Sequence, residues 1–232
     1  MAVLALAPYA IWLAVSLDAV PLTLCAAALA CGVVGSEPKR SPWWAAGAGL
    51  LLGIGALFSY SAAWLGTSIL VVYFVRRRPL LNVVSGVVSL VPLGLARLAG
   101  FVWLDGLTAA QADFSIRIGP HRSWLIWIFL DLLLVLLAAG PAVVAAARKA
   151  RRTPGWPFAV GAVLVVLFAV GSGLSRGEVE RSFLPFFPWL LVGAVAPEPG
   201  QDPRSTAPAP LLLIGAGAAS AVLIEAVLRT PW

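Results

Sequence analysis

From Ser41 to Val75 the chain carries no charged side chain, and from Trp124 to Ala147 it carries only Asp131. Runs this long and apolar restrict what the backbone can do. In lipid each N–H and C=O must be satisfied within the protein, which leaves helices or a closed barrel. The strands of a barrel would alternate lipid-facing apolar and lumen-facing polar residues. These runs do not alternate, so helices are expected. A water-soluble reading fails on surface: 61% of the 232 residues are hydrophobic and 11% are charged, against about 25% charged in an ordinary soluble domain.

A crossing helix needs about 20 residues, and shorter segments can be accommodated. The expected segments are 2–16, 19–35, 43–58, 61–75, 80–98, 123–147, 156–172, 184–196 and 210–228. They give eight or nine crossings, depending on whether the short first segment spans. The fold class is therefore all-α, a polytopic transmembrane helical bundle, as a single domain over 1–232. The stretch 197–210 is a flexible Pro-rich loop before the last span. The first Lys or Arg is Lys39, so a secretory signal's basic start is missing. The opening segment reads as a retained span, or as a chain that begins partway through a longer one.

Lys and Arg in short loops set orientation. The clusters Lys39-Arg40, Arg76–Arg78 and Arg148–Arg152 all fall on one side of this span assignment, and that side is expected to be cytoplasmic in a multi-pass plasma-membrane protein. Loops 99–122 and 173–183 fall on the extracytoplasmic side, with the turns at Ser16–Asp18 and Ser59–Ser61. Trp43, Trp44, Trp103, Trp124 and Trp156 sit at span ends, where indoles favour the interface. Gly49 and Gly53 have the spacing of closely packed helices.

The net charge of +6 is clustered in loops, which suits anionic headgroups, and no aromatic-interleaved basic stripe points to nucleic acid. Membrane lipid is thus an expected partner and nucleic acid is not. Cys25 and Cys31 fall on different faces of one helix, so no disulfide is expected, and no cluster of ligands suggests a metal. No cofactor is evident, and no phosphate-binding loop, nucleophile elbow or zinc-protease motif occurs.

The polar residues concentrate on the expected outer side. One loop holds Asp105, Gln111, Asp113, Arg117, His121 and Arg122; the other holds Arg176, Glu178, Glu180 and Arg181. Arg176 and Arg181 could hold a phosphate through bidentate hydrogen bonds. Asp105, Asp113 or Glu180 could act as a general base. Glu178 and Tyr60 complete the candidate substrate-binding set. The alternative is that loops simply solvate charge. Asp131 lies roughly 13 Å into its span at 1.5 Å per residue. An acid at that depth is costly and a functional candidate, or else a buried hydrogen-bonding group or a partner of Arg97.

The stretch Leu174-Ser-Arg-Gly-Glu-Val-Glu-Arg-Ser-Phe-Leu-Pro-Phe-Phe-Pro-Trp-Leu190 resembles a signature of actinobacterial polytopic membrane proteins of the GT-C glycosyltransferase type. Phe58-Ser-Tyr60 in a helix break, Gly100-Phe-Val-Trp-Leu-Asp-Gly-Leu107 at the outer loop, and Ser16-Leu-Asp18-Ala19 are similar in the same order. The resemblance implies transfer of a sugar from a polyprenyl-phosphate donor at the outer face, with the Arg176–Arg181 loop as the donor-phosphate region. It also implies a catalytic acid in a first outer loop, which is expected to lie upstream of this chain's start, with Asp18 a poor match for it. The expected function is accordingly a partial or non-catalytic unit handling a lipid-linked sugar. A non-enzymatic membrane subunit or scaffold with a membrane-protein partner is the alternative, and a small transporter using Asp131 is the third.

Overall fold

The computed structural model describes residues 2–15, 17–117, 119–173, 177, 182–195 and 208–227. Every regular element among them is helical. In chain order these are α1 (Ala2–Ala5), α2 (Ala10–Val15), α3 (Ala19–Gly35), α4 (Trp43–Phe58), α5 (Tyr60–Ala63), α6 (Gly66–Val75), α7 (Leu80–Leu98), α8 (Trp103–Arg117), α9 (Trp124–Ala139), α10 (Ala142–Lys149), α11 (Trp156–Ser172), α12 (Phe187–Leu190), α13 (Val192–Val195) and α14 (Pro208–Val227). Among the described residues only α7, with 19 residues, is by itself long and apolar enough to cross a membrane. The helices Ala19–Gly35, Trp43–Phe58 and Trp156–Ser172 are apolar and shorter.

Four expected segments are not single helices: 61–75 is interrupted by a turn at Trp64-Leu65 between α5 and α6, and the other three each have a local cause. Over 2–16 the chain breaks around Pro8, between α1 and α2. Over 123–147 it bends by 94° between α9 and α10. There Gly140 takes φ +66, and Pro141 bars the helical conformation to the residue before it. Over 184–196 only the single turns α12 and α13 form, because Pro185 and Pro188 supply no N–H to a longer helix.

Small residues govern how the long helices meet. α4 crosses α7 where Gly49 faces the Ser85 carbonyl and Gly53 the Ser89 carbonyl, so closely that a Cβ at either would overlap it. The Ser85 hydroxyl donates to the Ala45 carbonyl at 2.8 Å and contacts the Tyr73 hydroxyl at 3.3 Å. α6 meets α11 in the same way, Gly161 lying against Ser68, while Thr67 Oγ1 donates to the Gly161 carbonyl at 3.3 Å. Near the N-terminus the Tyr9 amide donates to the Ala138 carbonyl at 2.9 Å. The Tyr9 ring stacks on Phe187 at 5.4 Å.

The centre of the molecule is occupied by its least regular segment. Phe183, Leu184, Phe186, Phe187 and Leu191 are 0–2% exposed. Irregular backbone inside an apolar bundle is tolerated where protein surrounds it, and these bulky side chains form that packing themselves. Outward-facing residues of the long helices are apolar as well: Leu80, Val83, Val87, Leu90 and Leu95 on α7, and Leu125, Phe129, Leu133 and Leu136 on α9, are all exposed.

The basic clusters gather at one end. Arg78 donates to the Gly35 and Glu37 carbonyls at 3.2 and 2.7 Å, which ties the 36–42 turn to the 76–79 turn. Arg76 lines a cavity of about 280 Å³ with Pro154 and Gly155, which follow Arg151 and Arg152 closely in sequence.

Candidate binding cavity at the end opposite the basic clusters

α4 stops at Ser59, which is extended at φ −152°, and the chain restarts as α5 with Tyr60 at its head. The indole N–H of Trp103 donates to the Ala56 carbonyl at 2.9 Å, one of the groups left without a helical partner at the end of α4. The Trp103 ring meets Tyr60 edge-on, with centroids 5.2 Å apart. Gly106 lets the Tyr60 hydroxyl approach the α8 backbone where a Cβ would collide with it. Those contacts anchor α8 by one face, and that face fixes what the rest of the helix can reach. Leu107 and Gln111 follow Trp103 at four-residue steps and lie on the same side.

Together these elements enclose a cavity of about 180 Å³. Tyr60, Ser61 and Trp64 form one wall, and Leu107 and Gln111 of α8 a second. Val165, Phe168 and Ala169 of α11 close a third side, and Ser182, Phe183 and Phe186 the fourth. Trp64 and Phe168 pack against each other at 5.2 Å, and the Ser59 and Ser61 hydroxyls share a hydrogen bond at 2.8 Å. The cleft is partly open, and its walls lie close enough together to contact both faces of a small ring. Its described wall combines aromatic faces with hydroxyls and one amide, and holds no carboxylate.

The candidate residues divide accordingly. Tyr60 and Gln111 line the cavity. Asp105 and Asp113 occupy the exposed face of α8, and Asp113 pairs with Arg117 at 2.6 Å within the helix. Neither acid lines the cavity. His121 is exposed in a short 3-10 turn. Arg176, Glu178, Glu180 and Arg181 lie outside the described residues, as does most of the Pro-rich stretch; its last three residues begin α14. Cys25 and Cys31 form no disulfide. No group of three His, Cys, Asp or Glu side chains able to share a metal ion occurs among the described residues.

A second junction joins the same two loops. Asp131 is 1% exposed, and its Oδ1 accepts the Gly177 amide at 2.9 Å. The Arg122 guanidinium stacks over Trp127 at 4.6 Å, a cation–π contact. Gly177 sits at φ +78 against both side chains, where a Cβ would strike Arg122 and Trp127. Of the roles open to Asp131 from sequence, the geometry supplies the buried hydrogen bond. The Trp124 indole adds a bond to the Gly171 carbonyl at 3.1 Å, holding the start of α9 to the end of α11.

Trp64, Phe168, Phe183 and Phe186 carry no polar signal that would single them out in the sequence. Their only mark is spacing: Tyr60 and Trp64 are four apart, and Phe183 and Phe186 three apart. No family model, curated protein or solved structure matches this chain.

Proposed function

We propose that this chain is a polytopic membrane protein of eight or nine crossings, with its basic end in the cytoplasm. On this reading the cavity at Tyr60 and Gln111 binds the sugar of a polyprenyl-phosphate-linked sugar at the extracytoplasmic face. The observation that carries it is the wall of that cavity. Aromatic faces are electron-rich and complement the C–H faces of a sugar ring, while Gln111, Ser61 and Ser182 can exchange hydrogen bonds with its hydroxyls. The exposed apolar residues of α7 and α9 support a lipid surround. The gathering of three basic clusters at one end supports the orientation. Ser182 on the wall directly follows Arg181 in sequence, which supports that loop as the partner of the donor phosphate.

The reading is one of sugar binding by the described wall, which is built of aromatic rings, hydroxyls and one amide. Equilibrium binding of farnesyl-phosphate-linked mannose and arabinose to the detergent-purified chain tests it. Saturable binding of either probe is expected. Gln111→Leu should weaken it about tenfold, the equivalent of one hydrogen bond to ligand, while Asp105→Asn and Asp113→Asn leave it unchanged. Binding that ignores Gln111→Leu and Tyr60→Ala, or no binding of either sugar, rejects the proposal.

One observation favours the second reading, a non-enzymatic subunit or scaffold. α14 touches the N-terminal region through Gly217 at the Leu6 carbonyl, yet Leu211, Leu212, Val222, Leu223 and Val227 are 63–76% exposed. A partner's transmembrane helix could cover them. Stoichiometric co-purification of a second membrane protein, lost when α14 is deleted, would select this reading.

A further inference from the structure

We propose that the flank of α11 beside the basic end is a binding site for one phospholipid with an anionic headgroup. Trp156, Ala159, Val160, Val163 and Leu164 fall at i, i+3, i+4, i+7 and i+8, which is a single helical face. That face is open: Val160, Val163 and Leu164 are 39–53% exposed. The chain arrives at α11 through the 3-10 turn Ala150–Arg152 and reverses at Thr153–Gly155. Ala150 and Arg151 are thereby folded against the basic end of the stripe, and the result is a groove of about 530 Å³.

Charge complementarity identifies the occupant. Arg151 lines the groove's mouth, the exposed Arg148 and Arg152 flank it in sequence, and no acidic residue occurs in sequence between Asp131 and Glu178. Below the mouth the wall is apolar, with Trp156 at the transition, the depth at which an indole anchors to the interface. The stripe from Trp156 to Leu164 is about 12 Å long at 1.5 Å per residue, against about 15 Å of hydrocarbon in one leaflet. A free phosphate would leave that wall uncovered, and a zwitterionic lipid would set its own cation beside Arg151 and its neighbouring arginines. An anionic diacyl lipid satisfies both parts at once, in the manner of basic pockets on the cytoplasmic side of other helical bundles. The site rests on the membrane reading above and is independent of the sugar cavity.

The test is native mass spectrometry of the full chain, released from mixed micelles holding equal amounts of phosphatidylglycerol and phosphatidylcholine. One retained phosphatidylglycerol per chain is expected, with at least a tenfold preference over phosphatidylcholine. Arg151→Gln and the groove-filling Val160→Trp should each cut retention at least fivefold. Arg77→Gln, a cation of the same end outside the groove, should not. Equal retention of the two lipids, an equal loss with Arg77→Gln, or full retention in Val160→Trp overturns the site. So does a second protein or a second copy recovered on this flank in place of lipid. Should Val160→Trp fail to fold, brominated phosphatidylglycerol decides. It should quench wild-type fluorescence more than that of Trp156→Phe, and equal quenching overturns the site. Recovery of the chain from cells in buffer without detergent would reject the membrane reading itself, a result distinct from all of these.

Discussion

Replacing Gly49 with alanine tests how closely α4 and α7 approach. The added Cβ would overlap the Ser85 carbonyl oxygen, which belongs to helical backbone and cannot rotate away. The helices must therefore separate. Overpacking of this kind typically costs about 1–3 kcal/mol. Separation also stretches the 2.8 Å bond from the Ser85 hydroxyl to the Ala45 carbonyl, whose loss costs about 1 kcal/mol. The sum is about 2–4 kcal/mol, which for a chain of this size corresponds to a fall in Tm of about 4–16 °C. Thermal unfolding of the detergent-purified protein, followed by circular dichroism, measures it. Gly86→Ala and Gly94→Ala on α7 are the controls, because a Cβ at either meets nothing within 4 Å. They should be neutral or stabilising by up to about 1 kcal/mol, the helix preference of alanine over glycine. Gly53→Ala should resemble Gly49→Ala, since its Cβ falls on the Ser89 carbonyl. The double variant should cost less than the sum, because one separation relieves both clashes. A Gly49→Ala protein melting within 2 °C of wild type, or Gly86→Ala melting as low as Gly49→Ala, would refute the close crossing.

Asp131→Leu should destabilise by about 1–3 kcal/mol, the cost of leaving the Gly177 N–H buried without its acceptor. Asp131→Asn keeps an acceptor oxygen and should lose less, as read from the same melts. Gly177→Ala combines a left-handed φ of +78 with a collision at Arg122 and Trp127, and should cost about 2–4 kcal/mol. Faster protease cleavage between Ser172 and Phe183 should accompany it. Trp103→Phe keeps the ring against Tyr60 but removes the donor to Ala56. It should cost about 1 kcal/mol and weaken sugar binding in the same preparation. For orientation, Arg77→Cys and Asp105→Cys in a Cys25→Ala, Cys31→Ser background should react with an impermeant maleimide from opposite sides of sealed vesicles. Labelling from one side alone refutes the proposed topology.

The helices at 19–35, 43–58, 80–98 and 156–172 were legible from sequence, because each is a predominantly apolar run bounded at its start by charge, Pro or Gly. The close pairing of Gly49 and Gly53 with a neighbour was legible too, since small residues four apart suit a tight crossing, but the partner Ser85 was not. Breakage of the segments at Gly140–Pro141 and Pro185–Pro188 depends on how the backbone turns after a helix ends. Hydropathy alone does not report that, so those segments read as continuous spans.

The candidate cavity shows the same division. Sequence placed Tyr60 and the charged outer loops on one side, because charge and interfacial aromatics sort by solvent. It could not tell which face of α8 turns inward. Asp105 and Asp113 looked like chemistry because they are acidic, yet Trp103 and Gly106 dock on the Ala56–Tyr60 corner and so swing Gln111 inward and both acids outward. The composition of the chain determined that its helices are apolar and its cations are clustered. Tertiary structure alone decided that Phe168, Phe183 and Phe186 meet Tyr60, because their proximity comes from packing between segments more than 100 residues apart and leaves no local pattern to read.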